Sequence, residues 1–339
     1  MLDTRAHGRV VSPVVAAPRT FVTWPMEPEV RAILERLGPV ETSPTEAALS
    51  EDELARRVGN VEAIVPMGAH PVPERIMAAA PRLRVVAVAA VGHNLIDVGA
   101  ATRRGILVTN TPGVLTETTA DMAWALMLAV ARRVSEGDRF VRAGRWKGVY
   151  WSLMMGADVY GATLGVMGAG RIGKAVIRRA QGFGMRVLYS SRRPDAEAER
   201  LGATYRAKAD LLGESDFVVL AVPLTAETRH LVGAAELALM KPTAFLVNVA
   251  RGPVVDEGAL VDALRRGVIA GAGLDVFEEE PAIHPDLLAL ENVVLTPHVG
   301  SASRATRLRM ATTAAENCIA ALQGHRPPNL VNAEAWRER

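Results

Sequence analysis

Cysteine is almost missing from this 339-residue chain: Cys318 stands alone, which rules out an internal disulfide and is compatible with a reducing compartment. Its plain reading is a small apolar residue on a late helix. Aromatic residues are scarce at 4%, the formal net charge is only +2, and no basic block is interleaved with aromatics. Such a balance gives no electrostatic ground for a nucleic-acid partner. Long hydrophobic runs are lacking too. The longest, residues 122–131, is too short to cross a bilayer, so no membrane partner is expected. The first residues do not form a secretory signal, because the apolar stretch 10–15 is interrupted by Ser12 and Pro13. Residues 1–18 read as a poorly ordered extension, and a cytoplasmic location is the expectation. No Cys or His pair has zinc-ligand spacing, and no G-x-S-x-G nucleophile elbow occurs. Glu280 and His284 are four apart, but Pro281 between them speaks against the helix that would align them. Neither a bound metal nor a serine hydrolase is therefore expected.

What the chain has in quantity is glycine, 29 residues in all. Residues 163–184 read T-L-G-V-M-G-A-G-R-I-G-K-A-V-I-R-R-A-Q-G-F-G. A short apolar run meets Gly168, Gly170 and Gly173 in the spacing G-x-G-x-x-G, and helix-forming residues follow, with Ala175, Val176 and Ala180 on one face. That is a strand, a tight turn and a helix. Glycine at the first position permits the turn, at the second it lets backbone approach a pyrophosphate, and at the third it lets helix and strand pack closely. The helix start, with the backbone of Ala169, Arg171 and Ile172, offers unpaired N–H groups and a partial positive charge to phosphates. The spacing alone can arise by chance among so many glycines; the strand before it and the helix after it make it a dinucleotide site.

A chain of this length suggests about two domains, and 49% hydrophobic with 22% charged residues is the balance of a soluble enzyme. Before the glycine turn, residues 19–24, 63–66, 83–89 and 106–109 read as short buried strands, alternating with helical patterns at 28–37, 50–58 and 73–80. Ser50 and Glu53 have capping-box spacing. Residues 116–134 form the longest helical pattern, punctuated at its start by Pro112 and Gly113. After the turn come strand patterns at 187–189, 217–221, 244–248, 273–276 and 293–295, with helices at 194–201, 228–239 and 256–266. The tail 305–322 is one more amphipathic helix without a local partner, expected to return to the first domain. The predicted architecture is α/β with two doubly wound parallel-sheet domains: a Rossmann cofactor domain, residues 116–303, inserted into a flavodoxin-like substrate domain, residues 1–115 and 304–339.

The residues after the second strand of the cofactor domain decide between cofactors. An acid there accepts from the ribose 2′-hydroxyl and repels a 2′-phosphate. Here stand Ser190, Ser191, Arg192 and Arg193, two hydroxyls and two guanidiniums able to cradle a phosphate dianion. A pair of solvated arginines is the duller account, and the missing acid argues against it; NADPH is preferred, with NADH also admitted. Hydride delivery to a keto carbon needs a proton donor, a cation for the substrate carboxylate, and a group to hold the donor charged. Among His7, His70, His93, His230, His284, His298 and His325, His298 stands out, because it follows residues 293–297 at the carboxyl end of the last strand, where ligands bind in open α/β sheets. Arg251 follows A-F-L-V-N-V-A and Glu280 follows G-A-G-L-D-V-F, at neighbouring strand ends. Singly they read as a surface arginine, a member of an acidic run with Glu278 and Glu279, and a loop histidine. Together at one crevice they read as a site.

At these residues the chain resembles the D-isomer-specific 2-hydroxyacid dehydrogenases, and within them it looks most like the glyoxylate and hydroxypyruvate reductases. The similarity runs from about residue 61 to residue 326 and is carried by V-G-H-N-L-I-D (residues 91–97), V-T-N-T-P-G-V-L-T-E-T-T-A-D (108–121), G-A-G-R-I-G (168–173), N-V-A-R-G-P-V-V-D (248–256), G-L-D-V-F-E-E-E-P (273–281) and T-P-H-V-G-S (296–301). S-S-R-R after the second strand is similar to the NADP-preferring members.

The resemblance implies roles residue by residue. Arg251 would bind the substrate carboxylate and polarise the keto oxygen, a task suited to its bidentate fork. His298 would protonate that oxygen, or take the proton in the reverse direction, and Glu280 would hydrogen-bond His298 and fix its tautomer. Backbone N–H groups of Val91 and Gly92 would hold the carboxylate, Ser301 would sit beside the substrate, and uncharged Met67 with Gly68 would suit a small one. Asp275 would bind the nicotinamide amide; Val222, Pro223, Thr228, Val249, Ala250 and Gly300 would line the cofactor, and Thr119 would lie near its phosphate or ribose. His93 stands where many relatives have an aromatic or acidic residue, and no role is assigned to it. Trp151, Met154 and Met155 lie where relatives reach the partner subunit's cleft, which leaves core packing, dimer packing and substrate contact open; a homodimer is expected. The implied reaction is reduction of the small 2-oxoacids glyoxylate and hydroxypyruvate to glycolate and D-glycerate. Beside it stand action on another 2-oxoacid, on a phosphorylated 3-hydroxy acid precursor or on phosphite, and use of the fold as a cofactor-sensing scaffold that recruits protein partners, as a corepressor does.

Overall fold

The computed structural model describes residues 17–337, so most of the stretch read as an extension lies outside the described residues. The chain divides into two compact units, Met1–Thr111 with Met310–Arg339, and Pro112–Arg309. In the first unit five parallel strands, β1 (Thr20–Val22), β2 (Val40–Thr42), β3 (Ala63–Val65), β4 (Val85–Ala87) and β5 (Leu107–Thr109), lie in the order β2-β1-β3-β4-β5. That is the flavodoxin-like order, with its reversal between β1 and β3. Strands β1, β3, β4 and β5 bury every residue, as covered parallel strands do. Each wholly buried Val or Ile contributes roughly 1.5–3 kcal/mol. Helix Glu51–Arg57 starts at Ser50, whose hydroxyl accepts from Glu53 N at 3.3 Å, a cap worth about 1 kcal/mol. Only that half of the box forms, because the Glu53 carboxylate is engaged by Arg57 at 3.0 Å.

The second unit holds seven parallel strands, β6 (Thr163–Met167), β7 (Arg186–Ser190), β8 (Thr204–Tyr205), β9 (Phe217–Leu220), β10 (Phe245–Asn248), β11 (Gly271–Leu274) and β12 (Val293–Leu295), in the order β12-β11-β10-β9-β6-β7-β8. The chain enters at β6 and winds outward one way through β7 and β8, then the other way from β9 to β12. The reversal between β6 and β9 opens a crevice at their carboxyl ends, where a dinucleotide binds in this topology. Helix Thr116–Ala131 packs on this sheet, and Cβ atoms at Gly271 and Gly273 would stand 3.0 Å from Val130 Cγ2 and 2.9 Å from Leu126 Cβ of that helix. Close helix–sheet packing therefore needs glycine there.

Two helical readings are corrected. Residues 116–134 are not one helix: Thr116–Ala131 ends, Arg133 turns left-handed at φ 53°, and Val134–Arg142 begins, with Arg133 held to Glu136 at 2.7 and 2.8 Å. The longest helix is instead Arg304–Leu322. Of residues 228–239 only Ala234–Leu237 is helical, because His230 sits at φ 49° and Val232 forms a bridge with Val255. The unit boundary falls after Arg309 because Thr306 hydrogen-bonds Thr118 at 2.7 Å and Arg309 reaches Val114 O at 3.5 Å. Further along that helix Cys318 is wholly buried, and burial pushes its thiol up to about 12 against the smaller opposing effect of the Thr20 hydroxyl. It stays a neutral thiol, unsuited to nucleophilic work at ordinary pH. No helix among the described residues is long and apolar enough to cross a membrane.

Candidate active site

The three glycines after β6 do different work. Gly168 has φ 103°, and a Cβ there would stand 2.6 Å from Ala221 O and 3.0 Å from Val222 Cγ1. At Gly173 a Cβ would overlap Gly168 O. The fold itself demands both. Gly170 is different, since a Cβ there would meet nothing within 4 Å, and its backbone faces open space. It caps the ten-residue helix Arg171–Ala180 without a side-chain hydrogen bond, so the first-turn N–H groups have no capping partner. Open backbone at the one glycine the packing does not require is what a pyrophosphate would use, and Ala169, Arg171 and Ile172 share that turn.

Ser190 ends β7, and the Ser191 hydroxyl donates to Arg193 O at 2.5 Å, folding the stretch into a turn with both Arg192 and Arg193 exposed. The Thr225 hydroxyl, helped by the Arg192 charge, holds the Glu227 carboxyl below the usual carboxylate range, so Arg192 lies near the loop after β9. In that loop the Thr228 hydroxyl donates to Pro223 O at 2.7 Å and accepts from Thr225 N at 2.7 Å. Its hydroxyl builds the loop.

Arg251, Glu280 and His298 follow β10, β11 and β12, and the structure brings them together. Asn248 shapes the first turn, its Oδ1 accepting from Ala250 N at 3.0 Å and its Nδ2 donating to Arg251 O at 3.0 Å, while Arg251 Nη1 donates to Ala250 O at 2.7 Å. Val249 and Ala250 are buried. A Cβ on Gly252 would overlap the backbone of Phe277, so the loop carrying Arg251 lies directly on the loop carrying Glu280. Glu280 accepts from Phe277 N at 3.0 Å through Oε1, and its Oε2 lies 2.7 Å from His298 Nδ1. Burial alone would push the Glu280 carboxyl up; the His298 hydrogen bond and charge, the Phe277 N–H and the Arg251 charge together take it below the usual carboxylate range. Burial pulls the Arg251 guanidinium down from its ordinary value, and the Glu280 charge opposes that; an arginine remains charged regardless.

His298 sits in the left-handed region at φ 53°. Asp275 holds it there. This residue is 2% exposed, its carbonyl accepts from His298 N at 2.8 Å, and its carboxylate accepts from the Thr296 hydroxyl at 2.6 Å, Val299 N at 2.8 Å and Gly300 N at 2.7 Å. A Cβ on Gly300 would stand 2.9 Å from Asp275 Oδ2 and 3.5 Å from Thr119 Cγ2, which places Thr119 and Gly300 together. Ser301 follows in the same turn. Sequence reasoning assigned Asp275 to a nicotinamide amide and missed this clamp, for which no local motif gives a signal.

In the first unit Met67 follows β3 and bridges Ala89 beyond β4; its N donates to the Thr23 hydroxyl at 3.1 Å. A Cβ on Gly68 would stand 2.5 Å from Ala90 Cβ, and Val91 O accepts from Asn110 at 2.8 Å, so Met67, Val91 and Gly92 occupy one cluster of loops. No group of three or more His, Cys, Asp or Glu side chains is arranged as metal ligands among the described residues. A cavity of about 420 Å³ lies at the amino ends of β10, β11 and β12, lined by Arg133, Phe245, Ala270 and Val293, at the opposite end of those strands from His298.

Similarity to known proteins agrees with this arrangement. The profile of the D-isomer specific 2-hydroxyacid dehydrogenase, NAD binding domain, matches residues 124–300. The chain is 52% identical over 328 residues to a glyoxylate reductase of Thermococcus kodakarensis, covering 95% of this chain and 98% of that one. It is 55% identical over 328 residues to a glyoxylate reductase of Korarchaeum cryptofilum, with the same coverage of 95% and 98%. Among solved structures, the NADPH-dependent glyoxylate/hydroxypyruvate reductase of Sinorhizobium meliloti, in complex with NADP and malonate, superposes with a TM-score of 0.84 at 37% identity, covering 96% of this chain and 99% of that one. A matching family profile over the glycine turn and all three strand ends, with relatives more than half identical along nearly the whole length, leads to one conclusion: the chain belongs to the D-isomer specific 2-hydroxyacid dehydrogenases and is an oxidoreductase that works with a nicotinamide cofactor.

Proposed function

We propose that this chain reduces glyoxylate and hydroxypyruvate to glycolate and D-glycerate, with NADPH as the preferred reductant. The observation that carries this reading is the 2.7 Å bond between His298 Nδ1 and Glu280 Oε2 beside half-buried Arg251, because it leaves His298 Nε2 as the ring nitrogen for exchanging a proton with substrate. The Arg251 guanidinium pairs with the oxoacid carboxylate and polarises the keto oxygen. His298 gives its Nε2 proton to that oxygen as negative charge develops there, and Glu280 orients the ring through Nδ1. Bound NADPH supplies the hydride for C2. One hydride and one proton together convert C=O to CH–OH. Ser301 is assigned to the rest of a small substrate, and Asp275 to the nicotinamide amide through the remaining capacity of its carboxylate.

Relatives named for glyoxylate support the substrate. The test is NADPH consumption across glyoxylate, hydroxypyruvate, pyruvate and larger 2-oxoacids. The first two are expected to show the highest kcat/KM; a branched or aromatic 2-oxoacid above them, or no turnover at all, contradicts the assignment. For the cofactor, the absence of an acid after β7 and the two exposed arginines support NADPH. Replacing Arg192 and Arg193 by Ala should raise KM for NADPH about tenfold or more, with KM for NADH within about twofold. Equal changes for both cofactors would remove the phosphate cradle.

A homodimer is supported by the exposed apolar run Val134, Val141, Trp146, Val149, Trp151 and Met155. Trp151 is 98% exposed, which removes core packing as its role. Sedimentation at micromolar concentration should read the mass of two chains, and a single-chain mass argues against the dimer.

A further inference from the structure

Behind the Glu280–His298 pair lies a second carboxylate that the reaction does not use. Glu257 opens helix Glu257–Arg265 and is 7% exposed, unusual for a glutamate. Its Oε1 accepts from Glu278 N at 2.5 Å, and the backbone of His284 lies close enough to the same carboxylate to favour its charged form. Those two residues are the shoulders of the loop that carries Glu280. Within it Ala282 N donates to Glu279 O at 2.9 Å, closing a tight turn. The loop also answers back, since Glu278 Oε2 accepts from Glu257 N at 3.4 Å while its Oε1 lies 2.5 Å from His230 Nε2 and 3.4 Å from Arg229. Burial raises the Glu257 carboxyl, and the nearby backbone groups of Glu278 and His284 oppose that rise. A buried carboxylate that accepts from one end of a short loop and lies beside the other restricts where the loop's tip points.

We propose that Glu257 is a positioning residue for proton transfer: by exchanging hydrogen bonds with Glu278 at one shoulder of the 278–284 loop and lying beside the other at His284, it sets where Glu280 meets His298. The proposal rests on the reading of His298 and Glu280 as the proton-transfer pair. A shift of the Glu280 carboxylate by about 1 Å would turn the imidazole, and misplacement of that size costs up to about 10²-fold in rate. Nothing in the clamp touches the glycine turn or the Ser190–Arg193 stretch, so the effect belongs in kcat and not in cofactor binding.

The experiment is a double-mutant cycle on glyoxylate reduction, with Glu257→Gln and Glu257→Ala made in the unaltered protein and in Glu280→Gln, and NADPH binding followed by fluorescence. Glu257→Gln is expected to lower kcat about tenfold and Glu257→Ala about 10²-fold, with NADPH affinity within about twofold of the original. In the Glu280→Gln background the same changes should cost no more than about twofold, because the loop then has no carboxylate to place. Equal losses in both backgrounds would make Glu257 a general support of the fold and overturn the proposal. Full activity of the Glu257 variants beside a slow Glu280→Gln overturns it while leaving the reading of Glu280 intact. Full activity of Glu280→Gln removes that reading, and the proposal with it. Should Glu257→Ala not fold, Glu257→Gln, which keeps an acceptor for one N–H, carries the cycle alone.

Discussion

His298→Asn and His298→Ala are expected to lose about 10²- to 10⁴-fold in kcat for glyoxylate while still binding NADPH. The size follows from what is removed, a group that can give a proton to an oxygen as charge develops on it. Asn is the more informative variant. His298 occupies the left-handed region at φ 53°, which Asn tolerates and Ala does not, so Asn keeps the turn that Asp275 clamps while having no proton to give. Cofactor binding survives because the glycine turn after β6 is built from Ala221, Gly168 and Gly173 without His298. The substitution also changes Glu280. Burial then acts on that carboxyl without the opposition of its histidine partner, and its pKa moves up. In the unaltered protein the depressed Glu280 contributes stability that is present at neutral pH. It is lost only as pH falls from the ordinary carboxylate range through the lower folded value. The variant lacks that contribution, so its acid unfolding should begin at higher pH. Turnover within about tenfold of the original would assign the proton to another group.

Arg251→Ala is expected to lower kcat/KM for glyoxylate about 10²- to 10³-fold, and Arg251→Lys to recover only part of it. Arg251 is a half-buried cation at the end of β10, where its charge also reaches Glu280. Partly shielded from water, a guanidinium pairs with a carboxylate more strongly than in bulk solvent, and its planar fork can hold the acid and the keto oxygen at once. A lysine offers a point charge without the fork. The loss should be larger for oxoacids than for an aldehyde lacking the carboxylate, which forfeits only the polarisation of its carbonyl oxygen in Arg251→Ala. If Arg251→Ala slows both substrates by the same factor, the arginine supports the fold and does not bind the acid.

Strands β1, β3, β4 and β9 were legible because both their faces are covered, so every position selects an apolar residue and the run stands out. The two strands absent from the sequence reading, β2 and β8, are the outer strands of their sheets. V-E-T and T-Y leave part of their length exposed, and no apolar run marks them. β11 runs Gly271–Leu274 where the apolar pattern marks 273–276, because Gly271, held without a side chain between Asn292 O and Val130, carries no strand signal. In the site, Arg251, Glu280 and His298 could be placed side by side from strand ends alone, since parallel topology gathers carboxyl ends in one crevice. The groups that aim them could not. The resemblance gives Asp275 a cofactor role but not the clamp on the His298 turn, and Glu257 stands as an ordinary first-turn helix acid. Their work depends on partners more than twenty residues away in sequence, brought near by the fold.

The central claim is direct transfer of hydride from NADPH to C2 of glyoxylate, with the proton delivered separately. The measurement is the fate of deuterium when the protein turns over glyoxylate with NADPH labelled at C4 on one face or the other. Glycolate carrying one deuterium on C2 from one of the two labelled cofactors, and none from the other or from deuterated water, is the predicted result. Glycolate without the label, or no glycolate while the protein binds NADPH, would contradict it.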